Sequence, residues 1–428
     1  MDASFQESDM ISGTSLPSCF AAILSVAIAG TASAASQPTA ARLLSAEQAR
    51  EVDAQALASA SKITTAEARQ RLAVQRESRD LVASLRSTYG NRIAGIYREW
   101  TPSPRLVVRL KGASAERVSR ANLPTGSVEV VIKSGARFGA DELKQAGRTH
   151  AKALRAAFPT LGGTWVDERT GELVVEVASA ADVKTAKDLA TVIAGVPARV
   201  VVGRGDFNAA LSGSGALDIA LPNAVGHCTG GFTVNIFDGN DKTTGLATAG
   251  HCPDGNGTAT YTTLDGLQDT LTLVGQDYDA DSDVKWYTKV DQDRDFEPTF
   301  YSDDVTKREV SWYVWRDETV VGDSVCKYGQ TSGASCGVVA STSYAPADPI
   351  CNGQTCAATY VMVEPVAGQT QFGCASGDSG GPVFNDTTAY GILKGCGDRV
   401  GNTIYAQRMF YTALDALAEN DVYVFVPI

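Results

Sequence analysis

The residues of this chain best suited to chemistry lie late, in Gly377-Asp378-Ser379-Gly380-Gly381-Pro382, between Cys374 and Cys396. Glycines on both sides let the backbone turn tightly and leave amide N–H groups uncovered by side chains. An exposed hydroxyl beside paired donors is what a nucleophilic serine needs, because such donors stabilise a developing oxyanion. A serine hydroxyl is a poor nucleophile at neutral pH, so a base must lie within hydrogen-bond reach. Beyond residue 211 the histidines are His227 and His251, and each precedes a cysteine. In Thr248-Ala249-Gly250-His251-Cys252 the small residues leave room for a substrate and a serine, whereas His227 starts a strand-like run toward Phe232. This context selects His251 as the base and leaves His227 as a surface or turn residue. The third requirement is a carboxylate that holds the imidazole tautomer and stabilises the imidazolium. Asp277, Asp279, Asp281 and Asp283 all precede the apolar run Val284-Lys285-Trp286-Tyr287. Asp283 leads directly into it and is the expected carboxylate, with Asp281 as the alternative. The spacing of these aspartates lacks the glycine and terminal Glu of an EF-hand loop and reads as a solvated acidic turn. No metal and no cofactor is expected.

The elements that must position these groups differ between the two halves. From about Leu43 to Tyr89 the pattern is helical, with Thr64-x-x-Glu67 as a capping-box signature. Strand-like runs follow at Arg105–Leu110 and Ser127–Ile132, a helical pattern at Ala140–Phe158, and a hairpin from Trp165 to Val177 turning near Thr170-Gly171. A further helix near Ala181–Ile193 and a strand at Arg199–Val202 complete an α+β region whose one histidine, His150, has no partner pattern. Asn208–Gly215, rich in small residues, marks a boundary. Beyond it short β-type runs (Phe232–Phe237, Thr270–Val274, Val284–Tyr287, Ser311–Trp315, Val338–Ala340, Tyr360–Val363) alternate with Gly, Asp, Asn and Ser turns. Such spacing argues for an all-β sandwich or barrel. One helical pattern, Ala413–Ala418, precedes a last strand at Val422–Val426.

At 428 residues the chain should hold two or three domains. Residues 1–211 carry a net +5 and residues 212–428 a net −17. The acidic second half argues against nucleic-acid binding, because like charge repels phosphate. The opposite signs suggest that the halves face each other. Of nine cysteines, Cys19 lies in an N-terminal apolar run and the rest fall at or after Cys228. An even number confined to one region reads as a disulfide framework in an oxidising compartment. The run from Cys19 to Ala34 has the length of a signal-peptide core and ends in Ala32-Ser33-Ala34, an A-x-A cleavage site, although no Lys or Arg precedes it.

Taken in order, Thr248-Ala249-Gly250-His251-Cys252, Asp283 before an apolar strand, and Gly377-Asp378-Ser379-Gly380-Gly381-Pro382 resemble the chymotrypsin-like serine proteases. Within them the chain is most similar to the bacterial streptogrisin and α-lytic protease group. Cys228-Thr229-Gly230-Gly231-Phe232 looks like that group's first cysteine and strand. Val325 to Gly337 looks like its middle disulfide loop, and Tyr405 onward like its C-terminal helix and strand. The first half resembles its propeptides, most clearly from Gly162 to Val177. The resemblance implies an all-β double barrel, two Greek-key β-barrels with a C-terminal helix, preceded by an α+β propeptide. The domains would be a signal peptide (1–34), a propeptide acting as folding catalyst and inhibitor (35–211), and a protease (212–428).

It further implies a secreted serine endopeptidase made as a zymogen and released by cleavage around residues 207–217. A catalytically silent binding protein of the same fold is the alternative. His251, Asp283 and Ser379 would form the triad, and the N–H groups of Gly377 and Ser379 the oxyanion hole. The implied disulfides are Cys228–Cys252, Cys326–Cys336 and Cys374–Cys396, leaving Cys351–Cys356 as a local pair. Asp378 would be a buried carboxylate held by a cation, with Lys327 where the group has an Arg. Lys394 and Gly395 fall in the segment that should bind substrate backbone, where relatives carry a serine and glycines. Lys394 is expected either to enter the specificity pocket and favour acidic side chains or to lie outside it. Gly373 stands where a trypsin-like enzyme has Asp, so a preference for Lys or Arg is not implied. Implied partners are polypeptide substrates and the chain's own propeptide. No nucleic acid and, after removal of the leader, no membrane is expected, and the protein should be an extracellular monomer.

Overall fold

The structure is a computed structural model. It describes residues 42–113, 115–158, 161–177, 189–203, 208–209, 215–264, 266–289, 296–346, 350–399 and 403–427. The leader with Ala32-Ser33-Ala34, the first part of the helix expected at Ala181–Ile193, and most of the expected boundary loop lie outside them.

The N-terminal region is α+β. The long helical stretch is three helices, Ala46–Ser61, Thr65–Glu77 and Arg79–Tyr89. The complete capping box belongs to Ser45 and Gln48, each side chain accepting from the other's backbone N–H. At Thr64 only half of the expected box forms: Thr64 accepts from the Glu67 N–H, but the Glu67 carboxylate turns to Arg71 one helical turn on. A charge-assisted bond to a guanidinium outcompetes a neutral backbone donor there. Helices Thr65–Glu77 and Arg79–Tyr89 pack on a four-stranded sheet in the order Ile93–Glu99, Arg105–Lys111, Gly126–Ala136, Arg117–Leu123. Its strands Ile93–Glu99 and Arg117–Leu123 carry weak sequence signals: the first is buried up to Glu99, and the second is mostly exposed.

The second region is built on two sheets. One has eight strands in the order Ala224–Thr229, Ala216–Leu221, Thr258–Thr262, Gln268–Tyr278, Asp283–Lys289, Asp241–Thr248, Thr233–Asp238, Val422–Val424. Leu217, Phe232, Leu246, Leu271, Val284 and Tyr287 lie in its core. The other closes on itself. Strands Ser324–Gly329, Pro382–Asn385, Thr388–Arg399, Tyr405–Ala413, Tyr360–Pro365 and Gly333–Pro346 pair in sequence, and the last returns to pair with the first. The fold is therefore a chymotrypsin-like β-barrel domain of one closed six-stranded barrel plus a second sheet, with an N-terminal α+β region. Where the resemblance implies the other Greek-key barrel stands the eight-stranded sheet, whose end strands make no closing pairing among the described residues. The C-terminal helix is short, Asp415–Ala418, and its Ala416 and Leu417, with the preceding Leu414, join the first sheet's core.

The two regions share a sheet. Strand Leu161–Asp167 pairs with the end of the long barrel strand at Ala345 and Pro346, so the barrel sheet continues through Leu161–Asp167, Glu172–Val177 and Ala198–Val202. Among the described residues, three buried ion pairs cross the same boundary: Asp53 with Arg308, Arg98 with Asp323, and Glu176 with Arg408. In two of the three the carboxylate belongs to the net-positive half. The halves do face each other, but by individually matched pairs rather than by the overall charge difference.

Candidate active site

The base is placed by a strand end. Strand Asp241–Thr248 runs into Ala249-Gly250-His251, and Cys252 is tied by a disulfide to Cys228. Strand Asp283–Lys289 pairs with Asp241–Thr248 through Thr248 and Lys285, which brings the Asp283 end of that strand beside His251. The Asp283 carboxylate grips the histidine twice, its Oδ1 accepting from the His251 N–H at 2.6 Å and its Oδ2 meeting His251 Nδ1 at 2.7 Å. Gly250 is required for this approach, since a Cβ there would lie 2.9 Å from Asp283 Oδ1. The small residue before the histidine thus makes room for the carboxylate rather than for a substrate. On the far side, His251 Nε2 lies 2.9 Å from Ser379 Oγ. Asp281, the alternative carboxylate, is exposed, and His227 lies on the surface against Asp218. The N–H groups of Asp281 and Ser282 both donate to Asp279, which makes the acidic stretch a side-chain-closed turn.

Ser379 sits in a loop fixed from beneath by Asp378. That carboxylate is fully buried against the Lys327 ammonium at 2.6 Å, and it also accepts from the N–H groups of Thr331, Ser332 and Ala375 and from the Ser332 hydroxyl. Burial pushes the Lys327 ammonium below its ordinary value, against the pull of Asp378. Gly380 adopts φ +88, and a Cβ on it would collide with Thr248 Oγ1 and Thr229 O. A glycine after the serine is therefore what lets the serine loop touch the strand leading to the histidine. Within the loop the N–H groups of Asp378, Gly380 and Gly381 donate to Ala375, Leu393 and Asp378, while those of Gly377 and Ser379 donate to no acceptor among the described residues. The disulfide Cys374–Cys396 ties this loop to strand Thr388–Arg399, and Cys326–Cys336 and Cys351–Cys356 close two further loops.

Of the two placements expected for Lys394, the structure gives the one outside a specificity pocket, turned inward onto the triad carboxylate. Its side chain is buried, and its Nζ is 2.7 Å from Asp283 Oδ2, the oxygen that also meets His251 Nδ1. The reason is electrostatic: an ammonium on the buried run Gly391-Ile392-Leu393-Lys394 must find a carboxylate, and Asp283 is the one within reach. Only its backbone faces the nucleophile, its carbonyl lying 3.2 Å from Ser379 Oγ as a second acceptor for the hydroxyl proton besides the nearer His251 Nε2. Burial pushes the Asp283 carboxyl up, but the charges of His251 and Lys394 and their hydrogen bonds outweigh it and hold it well below the ordinary carboxylate value. Burial also pulls the Lys394 ammonium down, opposed by Asp283. Gly395 and Cys396 accept a strand partner from the chain itself: Asn208–Ala209 runs antiparallel to them, Ala209 opposite Gly395 and Asn208 opposite Cys396.

Chemically, a carboxylate, an imidazole and a hydroxyl in hydrogen-bond series can move a proton off the hydroxyl while an electrophile is attacked. Comparison with known proteins shows the family. The family model described as Trypsin matches residues 204–417, half of the chain. Streptogrisin-C of Streptomyces griseus is 27% identical over 347 residues, covering 79% of this chain and 68% of that protein. Among solved structures, protease A of Thermobifida fusca is 21% identical and covers 51% of this chain and 100% of its own, with a TM-score of 0.38. The Nocardiopsis protease is 18% identical and covers 50% and 97%, with a TM-score of 0.39. The N-terminal α+β region lies outside the matched domain. The chain belongs to the trypsin family of serine proteases, with streptogrisin-like relatives.

Proposed function

We propose that the chain is a secreted serine endopeptidase made as a zymogen. The observation that carries this reading is the uninterrupted series Asp283–His251–Ser379, at 2.7 and 2.9 Å, ending beside a strand that holds peptide backbone. In this reading Ser379 Oγ attacks a peptide carbonyl and passes its proton to His251 Nε2. The carbonyl oxygen, now negative, takes the free N–H groups of Gly377 and Ser379, each worth about 3 kcal/mol in the transition state. The imidazolium then protonates the leaving amine, and water repeats the sequence on the acyl-enzyme. Asp378 takes no part in proton transfer, and its bond to Lys327 keeps the two N–H groups aimed.

The zymogen part of the reading is supported by the chain's own strand, Asn208–Ala209, lying on Gly395–Cys396, and by the burial of Ser379 beside it. The N-terminal region serves as folding template and then inhibitor, because a disulfide-bonded all-β domain folds slowly through non-local contacts. Secretion is supported by the disulfides and by the similarity to streptogrisin-C. The test is active-site labelling of the processed protein by a fluorophosphonate. Labelling is expected on Ser379, lost in S379A and in H251A. An unlabelled, correctly folded processed protein would instead be a silent member of the family, and the endopeptidase reading would fall.

A further inference from the structure

Asp283 Oδ2 receives two donors at the same distance, His251 Nδ1 and Lys394 Nζ, each at 2.7 Å. Both Asp283 and Lys394 are buried, and the ammonium is wedged between the rings of Tyr278 at 5.4 Å and Tyr360 at 5.0 Å. Few other ionisable groups face this cluster. Lys285, two residues along the same strand, is spent on Asp254 and the Cys252 carbonyl. Asp279 and Asp281 belong to the preceding turn and act on Tyr360. Thr412 contributes a neutral hydroxyl to the Asp283 carbonyl.

The charge count at the carboxylate therefore differs from that of a triad whose carboxylate has only neutral donors besides its histidine. With a neutral donor, Asp283 and a neutral His251 would carry a net −1, and protonating the ring would bring the cluster to zero. With Lys394 the resting cluster is already neutral, and protonating His251 leaves a net buried +1. Uncompensated buried charge is costly. Resting on the endopeptidase reading, we propose that Lys394 is a positioning residue that neutralises Asp283 in the resting site, so that the proton His251 takes from Ser379 is not balanced by a net negative charge on the cluster. The same contact weakens stabilisation of the imidazolium formed during turnover. Lys394 acts through Asp283 and touches neither substrate nor leaving group with its side chain.

The test is the pH dependence of kcat/KM for the processed enzyme and its K394Q and K394R variants, each quantified by fluorophosphonate titration. Glutamine offers Asp283 a neutral donor, and its acid limb should move to higher pH by about one unit, the size expected on removing one nearby charge. K394R keeps the cation and should keep the wild-type limb. An active K394Q enzyme whose acid limb coincides with wild type would overturn the proposal. Should K394Q fail to fold, the 15N resonance of Lys394 Nζ in the unaltered sequence carrying only S379A decides. An ammonium whose signal moves as His251 titrates supports the proposal, and a neutral amine at pH 7 overturns it. A wild-type enzyme that does not label would sink the endopeptidase reading but not this measurement on Lys394, so the two failures are separable.

Discussion

Asp283 answers to two cations at once, and this makes its replacement unlike that of an ordinary orienting carboxylate. In D283N the His251 tautomer is no longer held, and kcat should fall by about 10⁴. The Lys394 ammonium would also be left buried without its carboxylate, which should cost about 3 kcal/mol of stability. The double variant D283N/K394Q removes the stranded charge and should regain most of that stability while recovering none of the activity. Denaturant unfolding of both in an S379A background checks this, and equal stabilities would show that the pair is not coupled. The pH dependence has a definite sign. The carboxyl is held below its ordinary value in the folded protein, so on acidification the unfolded chain takes up this proton first. Its contribution is complete above about pH 4, the ordinary carboxylate value, and fades only as pH falls through the lower folded value. The stability gap between S379A and S379A/D283N should thus persist at pH 5 and narrow below about pH 4.

At the scale of elements, strand Thr388–Arg399 is the hub. It carries Lys394 to Asp283 and offers Gly395 and Cys396 to a passing backbone. Through Cys396 it braces the serine loop, and it pairs with Tyr405–Ala413 along most of its length. The own-chain strand Asn208–Ala209 lies in the antiparallel sense on Gly395–Cys396, adjacent to the residue whose carbonyl meets Ser379 Oγ. Processing is therefore predicted shortly after Ala209, inside the window 207–217. N-terminal sequencing of the secreted protein checks this, and a mature terminus outside the window contradicts it.

For the whole molecule, the N-terminal region is attached by a shared sheet edge and by matched buried ions rather than by a diffuse charge difference. Asp53 accepts both Arg308 amino groups, at 2.9 and 2.8 Å, and the Asp386 N–H at 2.6 Å. Removing one partner of a buried pair leaves the other uncompensated. D53A in a separately added segment 42–203 should therefore weaken its inhibition of the processed enzyme by about 3 kcal/mol, roughly 100-fold. An inhibition assay measures this directly, and little salt dependence should accompany it, because buried pairs are poorly screened. An effect below twofold would place the binding energy in the sheet edge instead.

Local chemistry was enough to read much of this from the chain. Gly377 to Pro382, Thr248 to Cys252 and Asp283 ahead of an apolar strand are short stretches whose residue types announce a tight serine loop, a pinned histidine and a fixed carboxylate. Most strands and helices were legible because their periodicity is local, and the short or two-faced ones, such as Ile93–Glu99 and Arg117–Leu123, were not. What only the tertiary structure decided was pairing over distance. That Lys394 turns onto Asp283, 111 residues away, that one sheet closes into a barrel, and that Asp53 meets Arg308 all depend on which strands become neighbours. A lysine in an apolar run announces that it needs a carboxylate, but only the fold determines which one.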